Sequence, residues 1–582
     1  FGSRASPAWC ARRGQRQAGM VPTPTAAGNP WLRGGLLLLG FAGLRGGRAA
    51  KHTKTSAGVS VNDWATSNFA APPEGPVANF SVHRSLGSHM VLQRAPASAT
   101  VWGFALAGTH IQTAFNGTRL HSVTGADGIW RASLPPTPAG GPYTISIKAA
   151  TGETAMLKDV LFGDVFICGG QSNMWFALSA NEHAATYMKE AKGLSDIRLF
   201  TVGTATSSKV PRRDLRTVFQ TWGRPVTVPT PGGVLIANFS AVCWFFGRHL
   251  HHSLGGQVPI GLLSSNWPAT TIEQWLPPDS TTPCGRPSTG ELFNAMIWPL
   301  TGGPMAVTGF AWYQGESDLG GDPNLPNQNN NYACTQGVLI KLWRQVFKVP
   351  DAFFGVVLLS TFFAGTGANL LLAELRDQQF TSAMQIKGAA FASNEDYGFG
   401  GDYHPIFKQH VGARLANAAL AITYGRPVNW KSPSYLSATP MGPGALLVKL
   451  RDVTPRGLSF KGPANANANL DPEDCPTLNS MSPFTCAWAS LQFNDAARTW
   501  VNASIAIGAD SMVLWAPPPP GAQGVLASSY GWGAIPMLTV YSADMDGEDG
   551  QLPVLPWNHR LAAKGPETMI GTVADWINTH VV

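Results

Sequence analysis

The sequence predicts an α/β protein: a parallel sheet with helices on both faces, flanked by an N-terminal and a C-terminal β-sandwich-like domain. Three observations predict it. Between about residues 159 and 425, short apolar runs alternate with helical stretches. On either side of that window, β-like runs are separated by turn chemistry. The composition, 44% hydrophobic with 20 Trp and 28 Phe in 582 residues, demands packed cores. With 64 Gly and 45 Pro the chain is loop-rich, yet it falls short of a disordered or collagenous composition.

Residues 1–50 form a leader with its own logic. They hold seven Arg and no Lys, Asp or Glu. Beyond them 34 basic residues face 34 acidic ones, so the +7 net charge belongs to the leader and nucleic acid is excluded as a partner. Met20 opens a secretory-signal pattern: Arg33 precedes the apolar stretch 34–44, and Gly46, Gly47, Ala49 and Ala50 follow. The stretch falls short of the ~20 residues of a membrane span. The expected destination is therefore secretion, with no membrane span. Sequons at Asn79, Asn116, Asn238 and Asn502 agree with a glycoprotein. Cys475 and Cys486 are near enough to clip a loop, Cys284 and Cys334 stand in loop-like sequence, and Cys168 and Cys243, inside apolar runs, read as buried thiols. No cysteine or histidine cluster has metal-ligand spacing.

Residues 51–158 read as the N-terminal β domain. Runs such as Thr100-Val101-Trp102-Gly103 and Tyr143-Thr144-Ile145-Ser146-Ile147 are separated by Asn116-Gly117, Asp127-Gly128 and Gly140-Gly141-Pro142. Residues 159–430 form the α/β domain. Its apolar runs 165–168, 260–263, 307–313, 354–359 and 389–392 suit strands buried on both faces. A helix is expected from Pro405 to Thr423, stopping before Gly425. Residues 431–582 return to β patterning, in 445–450, 504–507, 512–515 and 537–541.

In such a sheet ligands gather at the carboxyl ends of the strands. After 165–168 comes Gly169-Gly170-Gln171-Ser172-Asn173-Met174, and after 307–313 comes Gln314-Gly315-Glu316-Ser317. After 389–392 a loop leads to Asp402-Tyr403-His404-Pro405. A Ser, side-chain amides and a His are the parts for acyl transfer. Ser172 can be a nucleophile exposed at a strand-to-helix turn, or a helix N-cap. His404 can be its general base, and Asp402 can orient the imidazole or cap a turn. Gln314 can donate to an oxyanion and Asn173 can orient the turn; either can equally satisfy loop backbone. Glu273 and Glu316 also admit a paired-carboxylate, glycosidase-like reading.

Read together, these stretches resemble a known family. The run Gly163-Asp164-Val165-Phe166-Ile167-Cys168-Gly169-Gly170-Gln171-Ser172-Asn173-Met174 resembles the nucleophile motif of the sialate O-acetylesterases, members of the SGNH (GDSL-like) hydrolases. The likeness continues through Met90-Val91-Leu92-Gln93-Arg94, Ile272-Glu273-Gln274-Trp275, Leu292-Phe293-Asn294-Ala295-Met296-Ile297 and Trp312-Tyr313-Gln314-Gly315-Glu316-Ser317, to His404-Pro405 with Lys408. It implies an SGNH-type sheet and removal of O-acetyl esters from sugars, typically 9-O-acetyl sialic acid, by a secreted or lysosomal enzyme without metal or cofactor. It further implies Ser172 as nucleophile, His404 as base, and Gln171, Gln314, Ala269, Asn173 and Glu316 as the oxyanion and substrate-binding set. Three departures stand out. Trp267-Pro268-Ala269-Thr270 replaces the family's Trp-Gly-Gly-Thr, and Pro268 has no N–H to donate. Gly401 stands three before the His where an Asp is usual, which makes Asp402, Asp396, Glu395 or no acid at all the orienter. Phe166 replaces a frequent Trp. The alternatives are a carbohydrate-binding homologue without turnover and an acetylesterase of other polysaccharides.

Overall fold

The computed structural model describes residues 79–561 except 205, 304, 320–330, 363–368, 399–402, 461–485 and 544–550. The expected leader, Asp402 and Cys475 of the expected Cys475–Cys486 clip fall outside the described residues.

One strand organises the chain. Strand β1 (Thr154–Gly170) is 17 residues long. Its first half alternates exposed and buried positions while pairing antiparallel with Gly140–Ala149 of the N-terminal domain. From Val160 onward every residue is buried, because this half lies inside the central sheet with both faces covered. The expected boundary at 158/159 thus falls within a continuous strand.

The remaining strands of the central sheet are β2 (Ile197–Val202), β3 (Val218–Val226), β4 (Gly233–Leu235), β5 (Ile260–Asn266), β6 (Gly309–Tyr313), β7 (Phe353–Val357) and β8 (Ala389–Ala392). They run in the order β4-β3-β2-β5-β1-β6-β7-β8. From β2 to β8 every neighbouring pair is parallel. The expected parallel sheet is therefore present, with an antiparallel addition: β3 pairs antiparallel with β2. The helices that carry the argument are α1 (Ser172–Trp175), α2 (Ala241–Ser253), α3 (Tyr332–Val346), α4 (Asn369–Gln385) and α5 (Lys408–Tyr424). The C-terminal region builds two four-stranded sheets, including strands Ala445–Arg451 and Ser511–Trp515 in one and Val525–Tyr530 in the other.

Two expectations are corrected. The last helix begins at Lys408, not Pro405, because the Lys408 backbone N–H is capped by Asn181 Oδ1 at 2.9 Å, a partner that local sequence does not reveal. It ends as expected, with Gly425 at φ +62°. Cys168 and Cys243 are joined as a disulfide, not left as thiols, because β1 and α2 bring their Cα atoms to 5.9 Å. Cys284 and Cys334 form a second bridge. The first closes a separation of 75 residues, worth about 4.5 kcal/mol by chain entropy alone.

Candidate active site

The carboxyl end of β1 requires glycine. A Cβ on Gly170, whose φ is +140°, would lie 2.1 Å from the Tyr313 carbonyl oxygen, and one on Gly169 would lie 2.8 Å from the Trp343 ring. Without side chains, β1 passes tightly by β6 and turns at once into α1. The Gln171 N–H donates to Tyr313 O at 3.1 Å, and the Trp175 N–H closes the turn on Gln171 O at 2.8 Å. Gln171 occupies the N-cap and makes no side-chain cap bond there. Ser172 is the first helical residue and half-buried, so its hydroxyl is not the cap that the alternative reading of the turn required. The N–H groups of this first turn have no intrahelical acceptor.

Asn173 ties this turn to the loop that carries the histidine. Its Nδ2 donates to Tyr403 O at 2.8 Å and to Glu316 Oε1, and its Oδ1 accepts from Lys408 Nζ. Tyr403 precedes His404, so the imidazole loop is bonded to the residue beside Ser172. A second contact fixes the same loop further along, where the Glu182 N–H donates to Ile406 O at 2.9 Å. His404 is half-buried and its ring lies 4.3 Å from that of Tyr403. Lys408 is fully buried, with its ammonium over the rings of Phe176 (4.9 Å) and Tyr313 (5.3 Å). Burial pushes the Glu316 carboxyl up, while Asn173 and the Lys408 charge pull it down.

Gln314 is wholly buried, and protein groups surround its amide. Nε2 donates to Thr270 O (3.0 Å), to Gln171 Oε1 (3.2 Å) and to Asp318 Oδ2, and Oε1 accepts from Tyr332 OH (2.8 Å). Two amide hydrogens facing three acceptors make it a brace between the β1 turn and the 267–270 loop. To donate to an oxyanion it would have to release one of them. Gln171 Oε1 also accepts from the Ser317 N–H at 3.3 Å. The 267–270 loop lies against the turn, since the Trp267 N–H donates to Gly170 O at 3.0 Å. Ala269 is exposed with φ +57°, the left-handed region that glycine would occupy without strain.

The rival orienters are engaged elsewhere. Asp396 makes a buried bidentate pair with Arg414 (2.7 and 2.8 Å). Glu395 lies 4.0 Å from Arg376 and accepts from Ser393 Oγ; burial pushes its carboxyl up to about 7. The paired-carboxylate reading fares no better: Glu273 pairs with Arg286 at 3.1 Å and Glu316 braces Asn173. Reading the residues alone passed over two members of the network. Asp318 stands four residues after Gln314, a spacing that could have flagged it, and burial and the nearby Glu273 push its carboxyl well above the usual range. Tyr332 leaves no sequence signal. A half-buried hydroxyl at the carboxyl edge of the sheet, with a histidine loop tied beside it, can support nucleophilic acyl transfer.

Comparison with known proteins points to hydrolysis of carbohydrate esters. Residues 162–421 match the family model described as carbohydrate esterase, sialic acid-specific acetylesterase. The chain is 31% identical over 380 residues to the sialate O-acetylesterase of Pongo abelii, spanning 58% of this chain and 70% of that protein. It is 30% identical over 427 residues to that of Rattus norvegicus, spanning 61% and 76%. A carbohydrate acetylesterase from Xanthomonas citri superposes with a TM-score of 0.66 at 25% identity, covering 82% of this chain and 99% of that one.

Proposed function

Since the chain belongs to the sialate O-acetylesterase family and is thus a carboxylic ester hydrolase of carbohydrates, we propose that it removes acetyl groups through Ser172 and His404, with 9-O-acetyl sialic acid as substrate. In this reading Ser172 Oγ attacks the acetyl carbonyl as His404 takes the hydroxyl proton. The tetrahedral oxyanion rests on the backbone N–H groups of Ser172 and Ala269, about 3–4 kcal/mol per donor. Gln314 and Gln171 brace the two loops that supply those donors. Collapse breaks the ester bond, and His404 returns its proton to the departing sugar oxygen. Water, deprotonated by His404, then hydrolyses the acetyl-enzyme to acetate and free Ser172.

The observation that carries the reading is the Asn173–Tyr403 hydrogen bond, which binds the nucleophile's turn to the histidine's loop. The test is acetate release from 9-O-acetyl sialic acid and p-nitrophenyl acetate by wild type and Ser172→Ala. We expect a loss on the order of 10³-fold or more on both. Activity on the nitrophenyl ester alone would keep the mechanism and refute the sialate. A second reading, binding without turnover, is favoured by one feature: Pro268 offers no donor and Ala269 is strained. A folded wild type without Ser172-dependent activity would establish it.

We also propose export, to the lysosome or outside the cell. Two disulfides support it. So does the exposure of all four sequon asparagines, Asn79, Asn116, Asn238 and Asn502. Recovery of the native protein from cytosol, free of N-linked glycan, would refute it.

A further inference from the structure

Two large aromatic side chains stand open to solvent beside the nucleophile and its base. Trp175 is three residues from Ser172 on α1, the spacing that places two side chains on one face of a helical turn. At 49% exposure it is the only tryptophan among the described residues left largely open to water. Tyr403, next to His404, is 50% exposed. The Tyr403 ring is held edge-on by buried Phe362, with centroids 6.0 Å apart, and flanked by the His404 ring. Among the described residues only Phe219 and Phe460 are other aromatics exposed to this degree. Half of the set therefore adjoins the site, and the Asn173–Tyr403 bond draws the two segments together.

A water-exposed indole and a water-exposed phenol next to the reacting residues offer a ligand two apolar faces. The flat, electron-rich face of an aromatic ring suits the C–H-lined face of a pyranose. An acetyl group delivered to Ser172 brings the sugar that bears it over this surface. We propose that Trp175 and Tyr403 are the specificity-determining platforms on which the pyranose ring of the acetylated substrate stacks, so that the enzyme selects acetylated sugars over simple acetyl esters. The proposal rests on the reading of Ser172 as nucleophile.

The experiment compares Trp175→Ala, Tyr403→Ala and Trp175→Phe with wild type on two esters: 9-O-acetyl sialic acid, and ethyl acetate, which has no ring to stack. Alanine at 403 leaves the backbone carbonyl that Asn173 binds in place. For each alanine variant we expect KM for the sugar ester to rise about tenfold, with kcat/KM falling at least fivefold more on the sugar ester than on ethyl acetate. Phenylalanine at 175 should restore most of the loss. Equal losses on the two esters, as a packing role would produce, overturn the proposal, and so does an unchanged KM for the sugar ester. Ser172→Ala is measured alongside. If it turns over like wild type, the nucleophile reading fails and the platforms with it; if it is inactive while both alanine variants keep their KM, the platforms alone are refuted.

Discussion

Lys408→Met removes one ammonium and keeps most of the side chain's volume. Lys408 is fully buried, donates to Asn173 Oδ1, and lowers the Glu316 carboxyl through its charge. Losing a buried hydrogen bond to a charged group costs about 1.5–3 kcal/mol. The described residues, about 430 of them, have an unfolding entropy of about 0.9 kcal/mol/K at ~2.1 cal/mol/K per residue. The melting temperature should therefore fall by about 2–3 °C. The loss should depend on pH with a definite sign. Glu316 already titrates above its ordinary 4.5, and without Lys408 it climbs further. A carboxyl whose folded pKa is raised contributes stability that is complete below the unfolded value and is lost as pH rises through the folded one. The deficit of Lys408→Met should thus be larger at pH 8 than at pH 5. Thermal scans of both proteins at one heating rate, with kcat on p-nitrophenyl acetate at each pH, test this. Deficits below about 1 °C, or equal at the two pH values, would refute the account of Lys408 as the charge that holds Asn173 and Glu316.

Glu395→Gln should flatten part of the pH profile. Burial lifts this carboxyl from 4.5 to about 7, so wild type loses about 3 kcal/mol between those values as pH rises. The melting temperature of the variant relative to wild type should improve by roughly 3 °C from pH 4.5 to pH 8. The difference between the two proteins is the readout, because His83, lowered to about 3 by burial, acts in the opposite sense: its contribution is lost as pH falls below 6.5. Parallel profiles would be inconsistent with the Glu395 assignment. Ala269→Gly should stabilise by about 0.5–1 kcal/mol, since relief of a left-handed residue, ~1–2 kcal/mol, outweighs the added freedom of the unfolded chain, ~0.4–1 kcal/mol. A denaturant midpoint that moves downward in this variant would contradict the strain at φ +57°.

Much of the protein was legible in the chain because the relevant physics is local. Runs such as 165–168 and 309–313 are apolar on both faces, as a parallel strand covered on both sides requires, and both lie in the central sheet. The pair Gly169-Gly170 before Gln171-Ser172 announced a tight strand-to-helix turn, and Gly425 announced a helix end. What the chain could not show depends on partners far away in sequence. The pattern around Cys168 reports burial, and only the packing of β1 on α2 makes it a disulfide. Asp396 reads as an orienter until Arg414, 18 residues on, occupies both of its oxygens. Gln314 reads as an open donor until Thr270, Gln171 and Asp318 surround it. Periodicity and turn chemistry act over a few residues and so determine elements and exposed turns; the protonation and hydrogen bonding of a buried polar group are set by whatever the fold places against it, and that only the tertiary structure decides.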